Sequence, residues 1–274
     1  MNTAIFHSVN AGLYFWDGQN GLLIDAIHEG RDEGLSPMPA LLLEQLHRHS
    51  GLFGHVTGVL FTHLHHDHFD QEKLKLLQQF TPGLPVYGPN LVEGRVELEV
   101  VQPDVYHIVM GGASFWAWST CHDGKIFADA PHQSFLLTIG NERFFVAGDA
   151  ALKASDAGPI AKVCRSTVTA AFCNLYQLAS PGGQEFLRAL SPEQVFLYHL
   201  PLPEDDCFGY HRLARQVLRN YPKDLPPVER LEHMTWLNNR PAQWGNQKGD
   251  DLNGIPGIYQ HRPLFQSSAG GVRV

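Results

Sequence analysis

Four histidines and an aspartate lie within six residues of one another, directly after an apolar segment. The run Thr62–His68 has the sequence THLHHDH. Neutral imidazole is the commonest metal-ligand side chain, and carboxylates bind the same divalent ions. His63 and His65 are two residues apart, so in extended backbone they point the same way, whereas Asp67 and His68 follow in a turn that can direct them to a second centre. We therefore predict that this loop supplies ligands to two metal ions about 3.5–4 Å apart, the separation of two-metal hydrolytic sites.

The overall charge disfavours nucleic acid as a partner. The 274 residues include 20 Lys and Arg against 28 Asp and Glu, which gives a formal net charge of -8. An acidic chain without a cluster of basic residues repels phosphate backbones. The 16 histidines are close in number to all the lysines and arginines together, and this excess favours a metal site. We expect a small-molecule substrate, and the sequence leaves the oligomeric state open.

Cysteine usage and hydropathy point to a cytoplasmic protein. Cys121, Cys164, Cys173 and Cys207 form no CxxC pair, so neither a zinc ribbon nor a disulfide scaffold is indicated. No apolar run approaches the roughly 20 residues that a membrane span needs. No lysine or arginine precedes Arg31, so the basic start of a secretory signal is missing. We expect a cytoplasmic location and no membrane span.

The elements on either side of the metal loop follow from the sequence pattern. Val56–Thr62 is apolar on both faces, which is typical of a central strand covered by helices. Asp70–Phe80 has apolar residues at helical spacing, and Asp70 is a suitable N-cap. The loop is therefore predicted to join a buried strand to an amphipathic helix.

Strands and helices alternate through two successive halves of the chain, which predicts a layered α/β domain. Ser134–Ile139 and Arg143–Ala147 flank Gly140-Asn141 and are predicted to form a hairpin. Helices are predicted over Thr167–Leu178, Gln184–Leu190 and Tyr210–Tyr221, with a strand at Val195–Tyr198 before the last of them. We expect one domain over residues 1–221. Residues 222–274 are rich in Pro, Gly, Asn and Gln, and we expect them to form a loop-rich C-terminal extension packed on that domain.

The run Thr62–His68 resembles the THxHxDH signature of the metallo-β-lactamase-fold superfamily. The resemblance covers roughly residues 1–220 and implies an α/β (α+β) fold, a four-layer αββα sandwich that binds two divalent metal ions at the edge of its sheets. Asp25 resembles the early aspartate that supports the metal loop from behind. Gly148-Asp149 resembles the later motif whose aspartate bridges both ions, and His199 resembles the last histidine ligand.

The superfamily also needs one histidine between the metal loop and Asp149, and two candidates are present. His122 closes the predicted strand Ser114–Cys121, whereas His132 precedes the predicted strand Ser134–Ile139. In the superfamily this ligand usually ends a strand and is followed by a loop, which favours His122. His132 is then the alternative ligand, or a neighbour of the ligands or of the substrate.

The resemblance implies a hydrolase whose metal-bound hydroxide attacks a small-molecule ester, lactone or phosphodiester. The implied metal ligands are His63, His65, Asp67, His68, His122, Asp149 and His199, and Asp67 is the implied catalytic residue because it orients the hydroxide. Two zinc ions are expected, with Mn²⁺ or Fe²⁺ as alternatives for nitrogen and oxygen ligands. The general plan resembles most the branch that contains ascorbate-phosphate lactonase and phospholipase-D-type phosphodiesterases. The alternatives are a non-catalytic metal-binding or sensor protein and a nuclease of the same fold.

Overall fold

The computed structural model describes residues 3–30, 34–164 and 167–237. Part of the predicted C-terminal extension, residues 238–274, lies outside these ranges. In chain order the strands are β1 (Ala4–His7), β2 (Leu13–Trp16), β3 (Gly21–Ile24), β4 (Val56–Leu60), β5 (Val86–Gly88), β6 (Leu91–Glu93), β7 (Glu97–Gln102), β8 (Val105–Met110), β9 (Ala113–Thr120), β10 (His132–Ile139), β11 (Glu142–Val146), β12 (Ala170–Cys173), β13 (Gln194–Leu197), β14 (Val228–Arg230) and β15 (Thr235–Leu237). The α-helices are α1 (Ala40–Arg48), α2 (Gln71–Phe80), α3 (Ala154–Cys164), α4 (Leu175–Ala179), α5 (Pro181–Leu190) and α6 (Tyr210–Asn220).

These strands form two sheets. Across the described ranges, one sheet has seven strands in the order β15-β1-β2-β3-β4-β5-β6, and the other has eight in the order β14-β13-β12-β11-β10-β9-β8-β7. Strands β3 to β5 run parallel, as do strands β11 to β14, and the other neighbours are antiparallel. Each half of the chain therefore builds most of one sheet, and the last two strands return to the two sheet edges.

Alternation along the strands explains how the sheets stack. Phe15 of β2 and Phe144 of β11 point into the layer between the sheets, where their ring centroids are 5.3 Å apart. Their neighbours point outward: Tyr14 packs in the cluster that contains α1 and α2, and Phe145 packs against Phe186 of α5. Because successive strand residues face opposite sides, two helix layers cover the outer faces of both sheets. The four-layer αββα arrangement predicted from the sequence is confirmed.

Most predicted elements are present, with ends shifted by one to a few residues. Helix α2 begins at Gln71, and the Asp70 side chain caps it by accepting a hydrogen bond from the Lys73 backbone N–H (2.8 Å). Gly140-Asn141 joins β10 to β11, and Gly140 has the positive φ (58°) that such a turn requires. No helix within the described ranges is long and apolar enough to cross a membrane.

Several regions differ from the prediction, and strands β1 and β6 are among the elements that were not predicted. The predicted helix Thr167–Leu178 is wrong, because Ala170–Cys173 is strand β12, buried in the middle of the second sheet, and the helix starts only at Leu175. Helix α3 (Ala154–Cys164) was not predicted. Residues 228–230 and 235–237 form edge strands where loops were expected. The division of the chain at residue 221 stays a prediction.

The candidate ligands and Asp25 follow strands whose carboxyl ends lie on the same side of the two sheets. In the first sheet, Asp25 follows β3 and the metal loop follows β4. In the second sheet, Asp149 follows β11 and His199 follows β13, both parallel strands. Because the carboxyl ends of parallel strands meet at one edge, this topology can bring together residues that are far apart in the chain.

Candidate metal centre

Asp25 fastens the metal loop to the first sheet. Its backbone is left-handed (φ 50°), and its side chain is fully buried. The two carboxylate oxygens accept hydrogen bonds from the Thr62 backbone N–H (2.8 Å) and from the Thr62 hydroxyl (2.7 Å). One of them also lies 2.9 Å from His68 Nδ1. Asp25 therefore fixes both the start of the loop and the orientation of one imidazole ring.

His63, His65 and His122 form a first group of candidate ligands, whose ring nitrogens lie within 4.8 Å of one another. His122 Nδ1 donates to the backbone oxygen of Asp123 (2.5 Å), so the other ring nitrogen, Nε2, is the one turned toward the group. His122 Nε2 and His63 Nε2 lie 3.3 Å apart. Two nitrogens bound at about 2.0–2.1 Å to one tetrahedral Zn²⁺ are separated by roughly 3.3 Å, so this spacing suits ligands of one ion.

Asp67, His68, Asp149 and His199 form a second group, also within 4.8 Å. Asp67 Oδ2 lies 2.9 Å from His199 Nε2 and 3.2 Å from His68 Nε2, and His199 Nδ1 lies 3.0 Å from Asp149 Oδ1. Asp67 Oδ1 is buried and has no hydrogen-bond partner among the described residues, and His68 Nε2 is buried with only the Asp67 and Asp149 carboxylate oxygens near it (3.2 and 3.5 Å). Buried polar atoms of this kind are costly unless an ion or another group satisfies them, so this donor set fits a cation.

Asp149 stands between the two groups. Its Oδ2 lies 3.5 Å from His68 Nε2 and 3.8 Å from His122 Nε2, so one oxygen faces a nitrogen of each group. The preceding residue, Gly148, has a φ of 58°, and a Cβ there would lie 2.6 Å from His132 Nε2. Glycine is therefore required at this position, and the close turn that it allows brings the carboxylate between the histidines.

His132 contacts the backbone of Asp149 and belongs to neither group. Its Nε2 accepts a hydrogen bond from the Asp149 backbone N–H (2.9 Å), and its Nδ1 lies 2.6 Å from the Thr120 hydroxyl. Burial lowers the pKa of His132 to about 3, so the ring is neutral and carries its one proton on Nδ1. Both ring nitrogens are therefore engaged by protein groups, one of them in the Asp149 turn, and His122 is the histidine that lies with His63 and His65.

Two residues that the sequence analysis did not single out hold Asp149 from the other side. The Asn174 side chain donates to Asp149 Oδ1 (2.8 Å). Gln177 donates from its side chain to the backbone oxygens of Gly148 (2.9 Å) and Ala150 (3.0 Å), on either side of Asp149. Asn174 and Gln177 also form a capping box at the start of α4. The pattern Asn-x-x-Gln after a buried segment is a sequence signal that could have located this helix start.

The charges of the second group compensate one another. Burial alone would raise the pKa of Asp67 and Asp149, but the charges and hydrogen bonds of His68 and His199 outweigh it and hold both pKa values well below the usual range. In turn, the carboxylates overcome the effect of burial on the histidines: the pKa of His68 lies well above its usual value, and that of His199 is raised to about 9. In contrast, burial and the like charge of His68 lower the pKa of His63. The two carboxylates of the second group, Asp67 and Asp149, thus form an acidic pair that stabilises positive charge on the neighbouring histidines.

A cavity of about 330 Å³ reaches both groups. His65, His122, Asp67, Asp149 and His199 all border it, so a small molecule can reach the candidate metal positions. The cavity also meets aromatic side chains that the sequence analysis placed in no role, among them Phe127, Tyr176 and Tyr210.

A further buried histidine lies beside the metal loop. Both ring nitrogens of His28 are buried without a hydrogen-bond partner among the described residues, and burial lowers its pKa to about 3. The neighbouring backbone ties it to the loop, because Glu29 N–H and Gly30 N–H both donate to the His66 carbonyl oxygen (2.8 and 3.0 Å). No spacing in the sequence marks this residue.

Every residue predicted as a ligand lies in one of the two groups, and the two predicted neighbours lie against them. The first group holds His63, His65 and His122; the second holds Asp67, His68, Asp149 and His199; Asp25 and His132 support the loop and the Asp149 turn.

Comparison with known proteins shows similarity in structure but not in sequence. No protein-family model matches the chain, and no curated protein matches it. Among solved structures, the metallo-β-lactamase fold protein YhfI from Bacillus subtilis is 14% identical, with a TM-score of 0.58, and the match covers 86% of this chain and 99% of that one. Isothiocyanate hydrolase from Delia radicum gut bacteria is 17% identical, with a TM-score of 0.56, over 85% of this chain and 98% of that one.

A third similar structure has a different chemistry. CmlA, a diiron β-hydroxylase from Streptomyces venezuelae, is 15% identical, with a TM-score of 0.52, over 85% of this chain and 53% of that one. At these identities the similarity is one of fold, and the fold alone does not set the reaction. By its two sheets, its helix layers and these structural matches, the chain is a protein of the metallo-β-lactamase fold.

Proposed function

We propose that this protein is a dinuclear metal-dependent hydrolase that cleaves a small-molecule ester, lactone or phosphodiester. The observation that carries the proposal is the position of Asp149, one oxygen of which faces His68 of one candidate ligand group and His122 of the other. A carboxylate in that position suits a shared ligand of two cations. The structural similarity to isothiocyanate hydrolase supports the reaction class.

In this proposal each group of side chains holds one ion. His63, His65 and His122 hold the first, and Asp67, His68 and His199 hold the second, with Asp149 shared between them. We propose zinc, for which imidazole and carboxylate ligands are usual, although the same donors accept Mn²⁺ or Fe²⁺. When bound, two such ions supply a water of lowered pKa and polarise the oxygen of the scissile bond.

Asp67 is the residue that we propose to act in the reaction. Its carboxylate borders the cavity and is held between His68 and His199, so it is fixed in one orientation. In that position it accepts a hydrogen bond from the attacking water and orients it toward the substrate. Asp25 and His132 act indirectly, because they hold the His68 ring and the Asp149 turn.

The cavity helps to choose among the alternatives. A protein that only binds metal has no need for a cavity that reaches both ligand groups, so the open access disfavours that alternative, whereas a sensor is separated from an enzyme by the hydrolysis test below. A nuclease is disfavoured because no lysine or arginine lines the cavity within the described ranges and the net charge is -8. Exclusion of nucleic acid and a cytoplasmic location stay predictions from the sequence.

The proposal is tested by metal content and hydrolysis measured on the same protein. After reconstitution, elemental analysis should find close to two ions per chain, and the Asp149→Ala variant should retain fewer. A panel of esters, lactones and phosphodiesters should then contain at least one compound that the wild type cleaves and that the metal-free protein does not. Well under one ion per chain would contradict the dinuclear site, and two ions without any hydrolysis would favour the non-catalytic alternative.

A further inference from the structure

The cavity beside the ligand groups is lined in part by apolar and aromatic side chains that have no role in the proposed chemistry. Apart from the candidate ligands and a few polar residues, it is bordered by Leu35, Phe127, Leu175, Tyr176 and Tyr210. Its volume of about 330 Å³ is at the lower end of the roughly 300–1,000 Å³ usual for small-molecule sites. The cavity therefore suits a small ligand with an apolar part.

Phe127 is held directly beside the first ligand group. Its ring centroid lies 5.0 Å from that of His65 and 5.2 Å from that of His122. These contacts restrict the ring, so it presents an apolar surface next to the candidate metal position. The preceding Ile126 is 85% exposed and does not line the cavity, which makes it a matched control.

Tyr176 and Tyr210 also line the cavity, and Phe208 packs beside Tyr210. Tyr176 is 50% exposed and hydrogen-bonded to Tyr210. Phe208 is 65% exposed, and its ring centroid lies 5.9 Å from that of Tyr210. Partly exposed aromatic surface in and beside a cavity is typical of a binding site, because covering it with an apolar ligand removes it from water.

Charge restricts the ligand further. None of the described residues that line the cavity is a lysine or an arginine, and Asp123 adds a carboxylate beside the candidate ligands. A negatively charged group on the part of the substrate that lies away from the metal positions would find no cation there. Removing such a group from water without a partner is costly.

From these features we infer that the cavity takes an uncharged carboxylic ester or lactone that carries one aromatic or short aliphatic group, held against Phe127, Tyr176 and Tyr210. The inference rests on the proposed hydrolase function and narrows it, because it commits to a carboxylic ester or lactone whose group away from the metal positions is uncharged and apolar. In the reaction the oxygen of water bonds to the acyl carbon, the acyl C–O bond breaks, and a proton from the water goes to the departing alkoxide. The products are a carboxylic acid and an alcohol, without any change of oxidation state.

Binding to the metal-free protein tests the cavity without hydrolysis. Acetanilide is an uncharged, slowly hydrolysed probe, and 4-acetamidobenzoate is the same molecule with one carboxylate. We expect acetanilide to bind at least about tenfold more tightly by isothermal titration calorimetry. Phe127→Ala should weaken its binding about tenfold, the effect of losing one buried ring contact, whereas Ile126→Ala should not. Equal or tighter binding of 4-acetamidobenzoate, or no effect of Phe127→Ala, would overturn the inference.

Turnover by the metal-loaded protein separates this inference from the proposed function. We expect 4-nitrophenyl butyrate to be cleaved with a higher kcat/KM than bis(4-nitrophenyl) phosphate, and Phe127→Ala to raise KM for the butyrate about tenfold at unchanged metal content. Faster cleavage of the phosphodiester would refute the substrate class and leave the hydrolase intact. If neither compound nor any other ester or lactone were cleaved, the hydrolase itself would fail, while the amide binding experiment would still decide whether the cavity takes neutral apolar ligands.

Discussion

Asp67 has to hold a cation and, in the proposed reaction, to orient a water molecule, and one substitution can separate these tasks. Asp67→Asn keeps the shape and one oxygen near His199 and His68 but removes the charge. We expect the variant to keep most of its metal and to hydrolyse its substrate about 10²–10⁴-fold more slowly, the usual contribution of a positioned base. Metal content and kcat are measured on one preparation. Hydrolysis near the wild-type rate with both ions bound would remove Asp67 from the mechanism.

The two histidines that compete for one ligand position should respond differently to truncation. His122→Ala removes a nitrogen that faces His63 at 3.3 Å, so the variant should lose the ion of the first group. His132→Ala leaves the Asp149 backbone N–H without its partner, so it should keep both ions at saturating metal and lose about 1–3 kcal/mol of unfolding free energy. Elemental analysis and urea unfolding distinguish the two variants. Loss of an ion from His132→Ala alone would transfer the ligand role to His132.

How far the sequence predicts the site depends on whether a residue's role follows from local spacing. His63, His65, Asp67 and His68 are neighbours in the chain, so their types and intervals were enough to indicate a metal loop. His28 is buried beside that loop by tertiary packing, and nothing in its local sequence distinguishes it from a surface histidine. Roles of that kind are set by the fold and are invisible in a single sequence.

At the scale of elements, the start of helix α4 serves as a support for Asp149. Gln177 is buried, and its side-chain amide satisfies the backbone oxygens of Gly148 and Ala150. Gln177→Met keeps the volume but removes one hydrogen bond from each of these oxygens, of which only the Ala150 oxygen keeps a second one, from the Leu152 backbone N–H (3.0 Å). We therefore expect a loss of about 1–3 kcal/mol of unfolding free energy and weaker binding of the two metal ions that share Asp149.

A matched substitution on the next helix controls for the loss of an amide. Gln184 of α5 donates from its side chain to the Leu178 carbonyl oxygen of α4 (2.9 Å), and Gln184→Met removes this hydrogen bond without changing one that supports Asp149. Urea unfolding of the metal-free proteins and a chelator competition for metal should show a change of metal affinity in Gln177→Met alone. Equal metal affinities in the two variants would mean that Gln177 stabilises the fold without positioning Asp149.

The wrongly predicted helix, Thr167–Leu178, includes the start of α4. Thr167–Leu178 contains alanines and other residues compatible with a helix, yet Ala170–Cys173 lies between β11 and β13 as a parallel strand buried on both faces. Such strands lack the polar alternation that identifies half-exposed ones, so local pattern cannot separate them from buried helix. The edge strands β14 and β15 were missed for a related reason, since they are only three residues long and are defined by pairing with β13 and β1.

At the scale of the whole molecule, the candidate ligands come from both sheets. The metal loop follows β4 of the first sheet, whereas Asp149 and His199 follow strands of the second. Bound metal would therefore link the two sheets, and ligands that bind only the folded state stabilise it by mass action. Free metal at a thousandfold excess over its dissociation constant should add about 4 kcal/mol, so chelation should lower Tm and Asp149→Ala should abolish most of that shift. Identical Tm values with and without metal would argue against a site shared between the sheets.

Metal uptake should also depend on pH, because protons occupy ligand positions in the metal-free chain. Burial would lower the pKa of His199, but Asp149 outweighs it and raises the pKa to about 9. Below that pH the ring carries a proton that a metal ion must displace, and His68 carries another, so affinity should rise with pH until both rings have lost these protons. The pKa values of Asp67 and Asp149 lie well below the usual range, so these carboxylates stay ionised near neutrality and add no slope.

The sign of this dependence can be measured in two independent ways. Competition with a chelator, corrected for the chelator's own protonation, should give a tighter metal affinity at each step from about pH 6 to about pH 9. Calorimetry in two buffers of different ionisation enthalpy should show protons released on binding, from His199 and from His68, whose pKa lies well above its usual value. Metal uptake without proton release at neutral pH would mean that the histidines of the second group are already neutral. The acidic pair would then hold its cation without displacing a proton, and the charge balance inferred for the metal-free site would be wrong.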